Sequence, residues 1–413
     1  MDKISRRKFV SGAAAAAAGS AFFSPLSFGA AENRQSSNAM KIERIEAFPV
    51  RYPTVMPFRF LEGPAGTGRP AVLVKITAAD GSVGWGESVP VPRWSYETLE
   101  AATIAIERYL TPVLLGHDLF DLKGVHDLMD REIAPSFTTG MPITKAGIDM
   151  ALHDLMGKIT GRNLAELWGR KSGDDLVLSW TLQTPSLDEI DPLIDEGLKQ
   201  GFEHFNVKVA PDPHFDLEMV RKVKKRIPEG FLWADANGQY TLADALWAAP
   251  RLADEGVPVL EQPIPISQIS GYQRLVRQQA LPILVDEGMV SPGQVFEFIK
   301  LGCCDGVAMK PSRTGGLVSA RRQIEMLESA GLLFLGSGLT DPDVSLAASL
   351  ILYSAFDLEY PAALNGPQFL GESIITEPFR PEKGRVRVPK GPGLGVTVDE
   401  DKLKDLVERS RSE

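Results

Sequence analysis

The chain has 413 residues, with 44 Lys and Arg against 54 Asp and Glu, a formal charge of −10. That balance offers no general attraction for nucleic acid or for an anionic membrane surface, so only a local basic patch could support such a role. The length allows two or three domains with a sizeable core, and 38 Gly with 30 Pro is ordinary globular composition, neither disordered nor collagenous.

At the start, Ser5-Arg6-Arg7-Lys8-Phe9-Val10 leads into an Ala-rich apolar run from Ala13 to Phe23, and Gly29, Ala30 and Ala31 offer a cleavage site. The paired arginines followed by Phe resemble a Tat export signal. An uncleaved anchor is the alternative, but the run is short, broken by Gly and Ser, and interrupted by Pro25. Residues 1–31 are therefore read as a Tat-type signal peptide. That reading implies the Tat export machinery as a partner, a periplasmic or otherwise exported mature chain, and no membrane attachment after cleavage.

Residues 40–160 mix strands and helices. Ile42 to Val50, Ala71 to Ile76 and Val83 to Gly86 read as strands, with a turn at Ala79-Asp80-Gly81. Tyr96 to Leu110, Leu122 to Glu132 and Ile143 to Lys158 read as helices, which together suggest a separate α+β domain. A long Pro- and Gly-rich loop, residues 52–70, carries Phe58 and Phe60, as candidate substrate contacts or as rings packed under the loop.

Residues 174–366 are a succession of short apolar runs separated by amphipathic segments. The runs are Leu176–Leu182, His204–Val209, Phe231–Ala234, Val257–Leu260, Leu281–Val285, Gly306–Met309, Leu332–Leu335 and Pro361–Leu364. Eight such runs, each but the last followed by room for a helix, predict an α/β fold of the (β/α)8, TIM-like barrel type. Lys208, Asp235, Glu261, Asp286 and Lys310 fall at or near the ends of successive runs, 27, 26, 25 and 24 residues apart by subtraction. In a barrel all five open on one face. Carboxylates at strand ends could instead cap the following helices, but five ionisable residues in phase argue for a site.

Three carboxylates from neighbouring strands are hard oxygen ligands suited to Mg2+ or a similar cation such as Mn2+. The five histidines lack metal spacing and read as structural, and the adjacent Cys303 and Cys304 read as small buried residues rather than a disulfide or redox pair. Lys208 and Lys310 would face each other across the mouth, where a lysine near a cation can act as a base. The combination points to abstraction of a proton next to a carboxylate.

These residues resemble the enolase superfamily, in its mandelate racemase/muconate lactonizing branch. The likeness rests on Gly84-Trp85-Gly86-Glu87-Ser88, Ala146 to Asp154, Asp235-Ala236-Asn237, Glu261-Gln262-Pro263, Asp286-Glu287 and Lys310-Pro311-Ser312-Arg313-Thr314-Gly315-Gly316, in this order. The resemblance implies that Asp235, Glu261 and Asp286 hold one Mg2+, that Lys208 and Lys310 are the acid/base pair, and that Asn237 and Glu287 support them. It also implies that residues 40–160 cap the barrel, that residues 367–413 return to that cap, and that the protein forms a homo-oligomer. The loop at 52–70 and Val89 to Trp94, including Arg93, would then form a lid over a small-molecule carboxylate.

Asn206-Val207-Lys208 departs from the Lys-x-Lys of many members of the branch. Leu335-Gly336-Ser337-Gly338 has no histidine for a His/Asp dyad, and Ala363-Leu364-Asn365 lacks the paired aspartates of many dipeptide epimerases. Distal specificity is expected near Thr181, Ser337 and Asn365. The reaction put first is racemisation or epimerisation of an amino-acid derivative; the second is muconate-type cycloisomerisation or β-elimination. A Schiff-base aldolase using either lysine, and a binding protein on a retired barrel, are the readings from other classes.

Overall fold

The computed structural model describes residues 40–58, 60, 62–63, 66–136 and 139–412, so the expected signal peptide lies outside the described residues. The chain from Met40 onward forms one unit. It begins with an antiparallel sheet of three strands, Ile42–Tyr52, Arg69–Ala78 and Val83–Ser88, with the second in the middle. Helix Pro142–Thr160 lies across this sheet at very short range: a Cβ at Gly86 would stand 2.0 Å from the Gly147 carbonyl oxygen, and one at Gly84 2.3 Å from that of Ala151. The two glycines therefore exist to let backbone meet backbone. The helix expected from Tyr96 starts instead at Leu99, because the Thr98 hydroxyl accepts from the Ala101 N–H and ends the preceding turn there.

The barrel strands are Trp180–Leu182, Phe205–Lys208, Leu232–Asp235, Val259–Glu261, Ile283–Val285, Gly306–Met309 and Leu333–Gly336, all parallel and hydrogen-bonded in chain order. The eighth run closes the ring: Ala362 pairs with Leu178 on the first side and Ala363 with Ser337 on the last. The first run proves to be two strands. Asp175–Val177 pairs antiparallel with Arg385–Arg387, Leu178 meets the eighth run, and Trp180–Leu182 pairs with the second barrel strand.

Alternation along each strand divides the side chains into two layers. Phe205, Val207, Ala234, Leu260, Val285, Val307 and Met309 face outward into the core shared with the helices. Trp233, Val259, Leu284, Ala308, Leu335 and Ala363 form a separate cluster that plugs the barrel interior. Cys303 and Cys304 are free and buried in the outer layer.

Helix Glu400–Ser412 lies on the cap: the Arg51 N–H donates to Ser410 Oγ at 2.8 Å and Lys75 pairs with Glu400 at 2.7 Å. Among the described residues no helix is long and apolar enough to cross a membrane.

Candidate active site

Six candidate residues stand two positions beyond a plug residue: Trp233 precedes Asp235, Val259 Glu261, Leu284 Asp286, Ala308 Lys310, Leu335 Ser337 and Ala363 Asn365. A period of two returns the side chain to the same face, so all six point into the barrel mouth above the plug. Lys208 pairs in register with Asp235, and Asp235 with Glu261. The five ionisable side chains are all at least 92% buried.

Charge opposes charge across the mouth. Lys208 Nζ donates to Asp235 Oδ2 at 2.5 Å, and Lys310 Nζ donates to Asp286 Oδ2 and stands 3.9 Å from Glu261 Oε1. The Arg313 guanidinium lies against the other Asp286 oxygen. Among the described residues Glu261 has no hydrogen-bond partner on Oε1, and burial, followed by the Asp235 carboxylate, pushes its carboxyl up to about 8. Burial and Asp235 likewise raise Glu287, whose Oε2 is unpartnered.

Among the described residues no group of three His, Cys, Asp or Glu side chains is arranged as it stands to hold a metal ion, since the ammonium groups bond Asp235 and Asp286. The donor set nevertheless fits a divalent cation. Three hard carboxylates, all buried, end adjacent strands, and Glu261 carries an orphaned oxygen and an acidity suppressed by burial and by its like-charged neighbour Asp235. A divalent charge there relieves both, which an apolar or thiolate site does not require.

The surrounding residues hold these groups in place. The Asn237 N–H donates to Asp235 Oδ1 at 2.9 Å, and Asn237 Nδ2 donates to Glu287 Oε1 at 3.1 Å. The same oxygen accepts the Trp94 indole N–H at 2.7 Å, so Glu287 ties the lid to the barrel rather than bonding Lys310. Trp94 stacks on Phe60, with centroids 4.4 Å apart and planes 12° apart. Of the other expected lid contacts, Phe58 is buried against Phe369 at 4.6 Å and is a packing residue, because the loop needs an apolar anchor. Arg93 is exposed and makes no hydrogen bond or ion pair among the described residues. On the far wall Asn365 Nδ2 donates to Thr181 Oγ1 at 3.3 Å, Ser337 is buried, and Asn206 Nδ2 and Asn365 Oδ1 lack partners.

Three positioning residues escaped sequence reasoning. Gln262 Oε1 accepts the backbone N–H groups of Asp286 and Glu287 at 2.8 and 3.1 Å, fixing the turn after the fifth strand. Gln262 and Arg313 were visible only as parts of motifs. Arg69, with no exposed surface, donates to the carbonyls of Leu339, Pro70, Pro90 and Val89 at 2.7–2.9 Å, joining the lid segment to the loop after the seventh strand. Nothing in its sequence context distinguishes it from a surface arginine. Two of the five histidines bond Asp149: His126 Nε2 its carboxylate at 2.8 Å and His153 Nδ1 its carbonyl at 2.8 Å.

Fold and site define a capped (β/α) barrel with buried lysine and carboxylate groups gathered at the C-terminal mouth. Residues 44–169 match the mandelate racemase/muconate lactonizing enzyme N-terminal domain, and residues 192–402 the family described as enolase C-terminal domain-like. Muconate cycloisomerase 1 of Rhodococcus opacus is 30% identical over 374 residues, 88% of this chain and 98% of that protein. A chloromuconate cycloisomerase of Cupriavidus necator is 32% identical over 371 residues, again 88% and 98%. The muconate lactonizing enzyme of Pseudomonas fluorescens, solved with muconolactone, superposes with a TM-score of 0.82 at 28% identity, over 89% of this chain and 100% of that one. The chain belongs to the mandelate racemase/muconate lactonizing enzyme family of the enolase superfamily, in its muconate-lactonizing branch.

Proposed function

We propose that this protein is a cycloisomerase acting on an unsaturated carboxylate, with Lys208 and Lys310 as its acid/base groups. The observation that carries the reading is the pair of buried ammonium groups flanking three carboxylates at one barrel mouth. Relatives named as cycloisomerases support this reaction over the racemisation placed first from sequence. Asp235, Glu261 and Asp286 would hold a divalent cation, for which Mg2+ is the choice. That ion supplies positive charge to a carboxylate as the carbon beside it gains or loses a proton.

The chain's own residues do the rest. In cycloisomerisation a carboxylate oxygen closes on one carbon of a double bond and the carbon next to the other carboxylate takes up a proton, so one lysine suffices as donor. The second ammonium offsets negative charge in a buried volume. The loop that carries Phe60 covers the mouth and excludes water, and Gln262 and Asn237 keep the carboxylates oriented.

The test is incubation of the mature protein with Mg2+ and cis,cis-muconate in D2O. Loss of conjugated absorbance with one deuterium at the product α-carbon, abolished by EDTA and by one lysine variant far more than the other, supports the proposal. Deuterium wash-in at the α-carbon of a chiral carboxylate without net consumption restores racemisation. We also propose export of the folded protein under its twin-arginine segment; recovery in the periplasmic fraction, lost on Arg6→Lys with Arg7→Lys, tests it.

A further inference from the structure

Trp94 stands where a substrate has to go. Its ring centroid is 4.3 Å from Lys310 Nζ and 6.0 Å from Lys208 Nζ, so the indole lies over both candidate bases. A carbon that exchanges a proton with Lys310 must approach Nζ to about 3–3.5 Å. Inserting one layer of atoms between ammonium and ring takes two van der Waals contacts, roughly 7 Å. The observed gap has no room for it, and the ring has to leave before chemistry.

The surroundings allow that departure. Trp94 is partly exposed on an irregular segment; its backbone N–H bonds the Val91 carbonyl at 3.0 Å, while the indole is held by the Phe60 stack, the two ammonium groups and its hydrogen bond to Glu287. When the indole moves, Glu287 Oε1 keeps Asn237 Nδ2 as a donor. Beside the ring lies a cavity of about 430 Å3, with Trp94 on its boundary; Asp286, Glu287 and Arg313 line the side next to the site, and Val91, Ile143, Ile266 and Phe298 give it apolar walls beyond. An indole swung off the lysines has an apolar chamber to enter.

We propose that Trp94 is a displaceable, specificity-determining ring. A substrate enters by pushing the indole into this chamber and lays its own flat, conjugated body on the face of Phe60 that the indole vacates. The inference rests on the proton-transfer reading of Lys208 and Lys310 and narrows its substrate class to planar unsaturated carboxylic acids. A saturated acid of equal length displaces the same ring and replaces neither the stack nor the ring face over Lys310, so it binds more weakly. Stacking of this kind is worth up to about tenfold in affinity.

The experiment uses the Mg2+-loaded full protein and two six-carbon diacid probes, trans,trans-muconate and saturated adipate, read by tryptophan emission and by calorimetry. The expected result is an emission change on muconate binding that is absent in Trp94→Phe, with muconate preferred over adipate by about tenfold. Trp94→Ala, which removes the ring to be displaced, tightens both probes. Phe60→Leu brings their affinities together. Calorimetric binding without an emission change, or weaker binding of both probes to Trp94→Ala, overturns the proposal by making the ring a fixed wall. If the alanine variant does not fold, Trp94→Phe carries the affinity comparison, with tighter binding of both acids expected from the smaller ring and unchanged or weaker binding refuting it. Turnover of muconate with a silent Trp94 refutes displacement and leaves the reaction standing. A responsive Trp94 with no turnover of any acid refutes the reaction and leaves displacement standing.

Discussion

Glu87 joins the third cap strand to the barrel, and its charge state is open to direct measurement. The side chain has no exposed surface; Tyr52 Oη donates to Oε1 at 2.9 Å, and the first-turn N–H groups of Val344 and Ser345, in helix Asp343–Ala355, donate to Oε2 at 3.0 Å each. Burial pushes its pKa from 4.5 up to about 8, against the Ser345 hydrogen bond, which lowers it. The folded state therefore holds this proton more tightly than the unfolded chain. The resulting stability is fully present below pH 4.5 and is lost as pH rises to about 8. At 1.36 kcal/mol per unit the ceiling is about 5 kcal/mol, and relaxation at the site places the observable loss on the order of 2–5 kcal/mol.

Glu87→Gln is the informative variant. A neutral amide retains an acceptor for the two helix N–H groups, while Tyr52 can turn to accept from the new NH2. Urea unfolding of both proteins at pH 5.5 and 8.5 should show wild type losing stability relative to the variant across that interval. Other groups with raised pKa values, such as Glu261, are present in both proteins and cancel. Parallel pH dependence, with the variant weaker by the same amount at both values, would mean that Glu87 is ionised throughout and that the helix N-terminus outweighs desolvation; the reasoning would then be wrong.

Lys310→Ala should lower kcat by about 10²–10⁴-fold, the usual contribution of a positioned acid or base, with circular dichroism unchanged. Gly86→Ala places a methyl group 2.0 Å from the Gly147 carbonyl oxygen and should cost about 1–3 kcal/mol or more in a denaturant melt. Gly81→Ala, at φ +85° with nothing within 4 Å, should cost only about 1 kcal/mol. Arg69→Met strips donors from several buried carbonyls and should raise KM as the lid segment loosens; Arg69→Lys should not rescue it, because a single ammonium cannot replace the fork. Asp149 is held well below the usual carboxylate range because His153 and His126 outweigh the effect of its burial. Its contribution is present above about pH 4 and lost on acidification, so Asp149→Asn should flatten the acid limb of a pH-stability curve.

What the sequence made legible was periodic. The strand ends were readable because each β/α unit repeats at nearly the same length, and Lys208, Asp235, Glu261, Asp286 and Lys310 keep that phase. The plug beneath them was equally present as the residue two positions earlier in the third to sixth strands, a signal that was not used. Residues acting through a backbone from another part of the chain were invisible. Arg69 lies 270 residues from the Leu339 carbonyl it binds, and no local pattern records such a partner. Phe58 and Phe60 sit two apart in one loop and meet edge to face at 6.0 Å, yet Phe58 packs on Phe369 and Phe60 stacks on Trp94. Loop curvature, set by tertiary contacts, decided between them. The split of Leu176–Leu182 was hidden for the same reason, since Arg385–Arg387 captures half of an otherwise continuous apolar run.

The helix at Glu400–Ser412 rests on the first strand of the cap, joined to it by a bond spanning 359 residues. The cap is thus assembled from the two ends of the folded unit, with the whole barrel made in between. During synthesis its first strand must wait for that helix with one face unsheltered, and contacts of such long range are slow to form. A chaperone that protects the early strand, or a partner that occupies it, would hold back the lid while leaving the barrel free to form. Shortening the helix should have the same outcome, a barrel with its mouth poorly roofed, and a tag fused next to it would press on the roof although it lies far in sequence from every residue of the site.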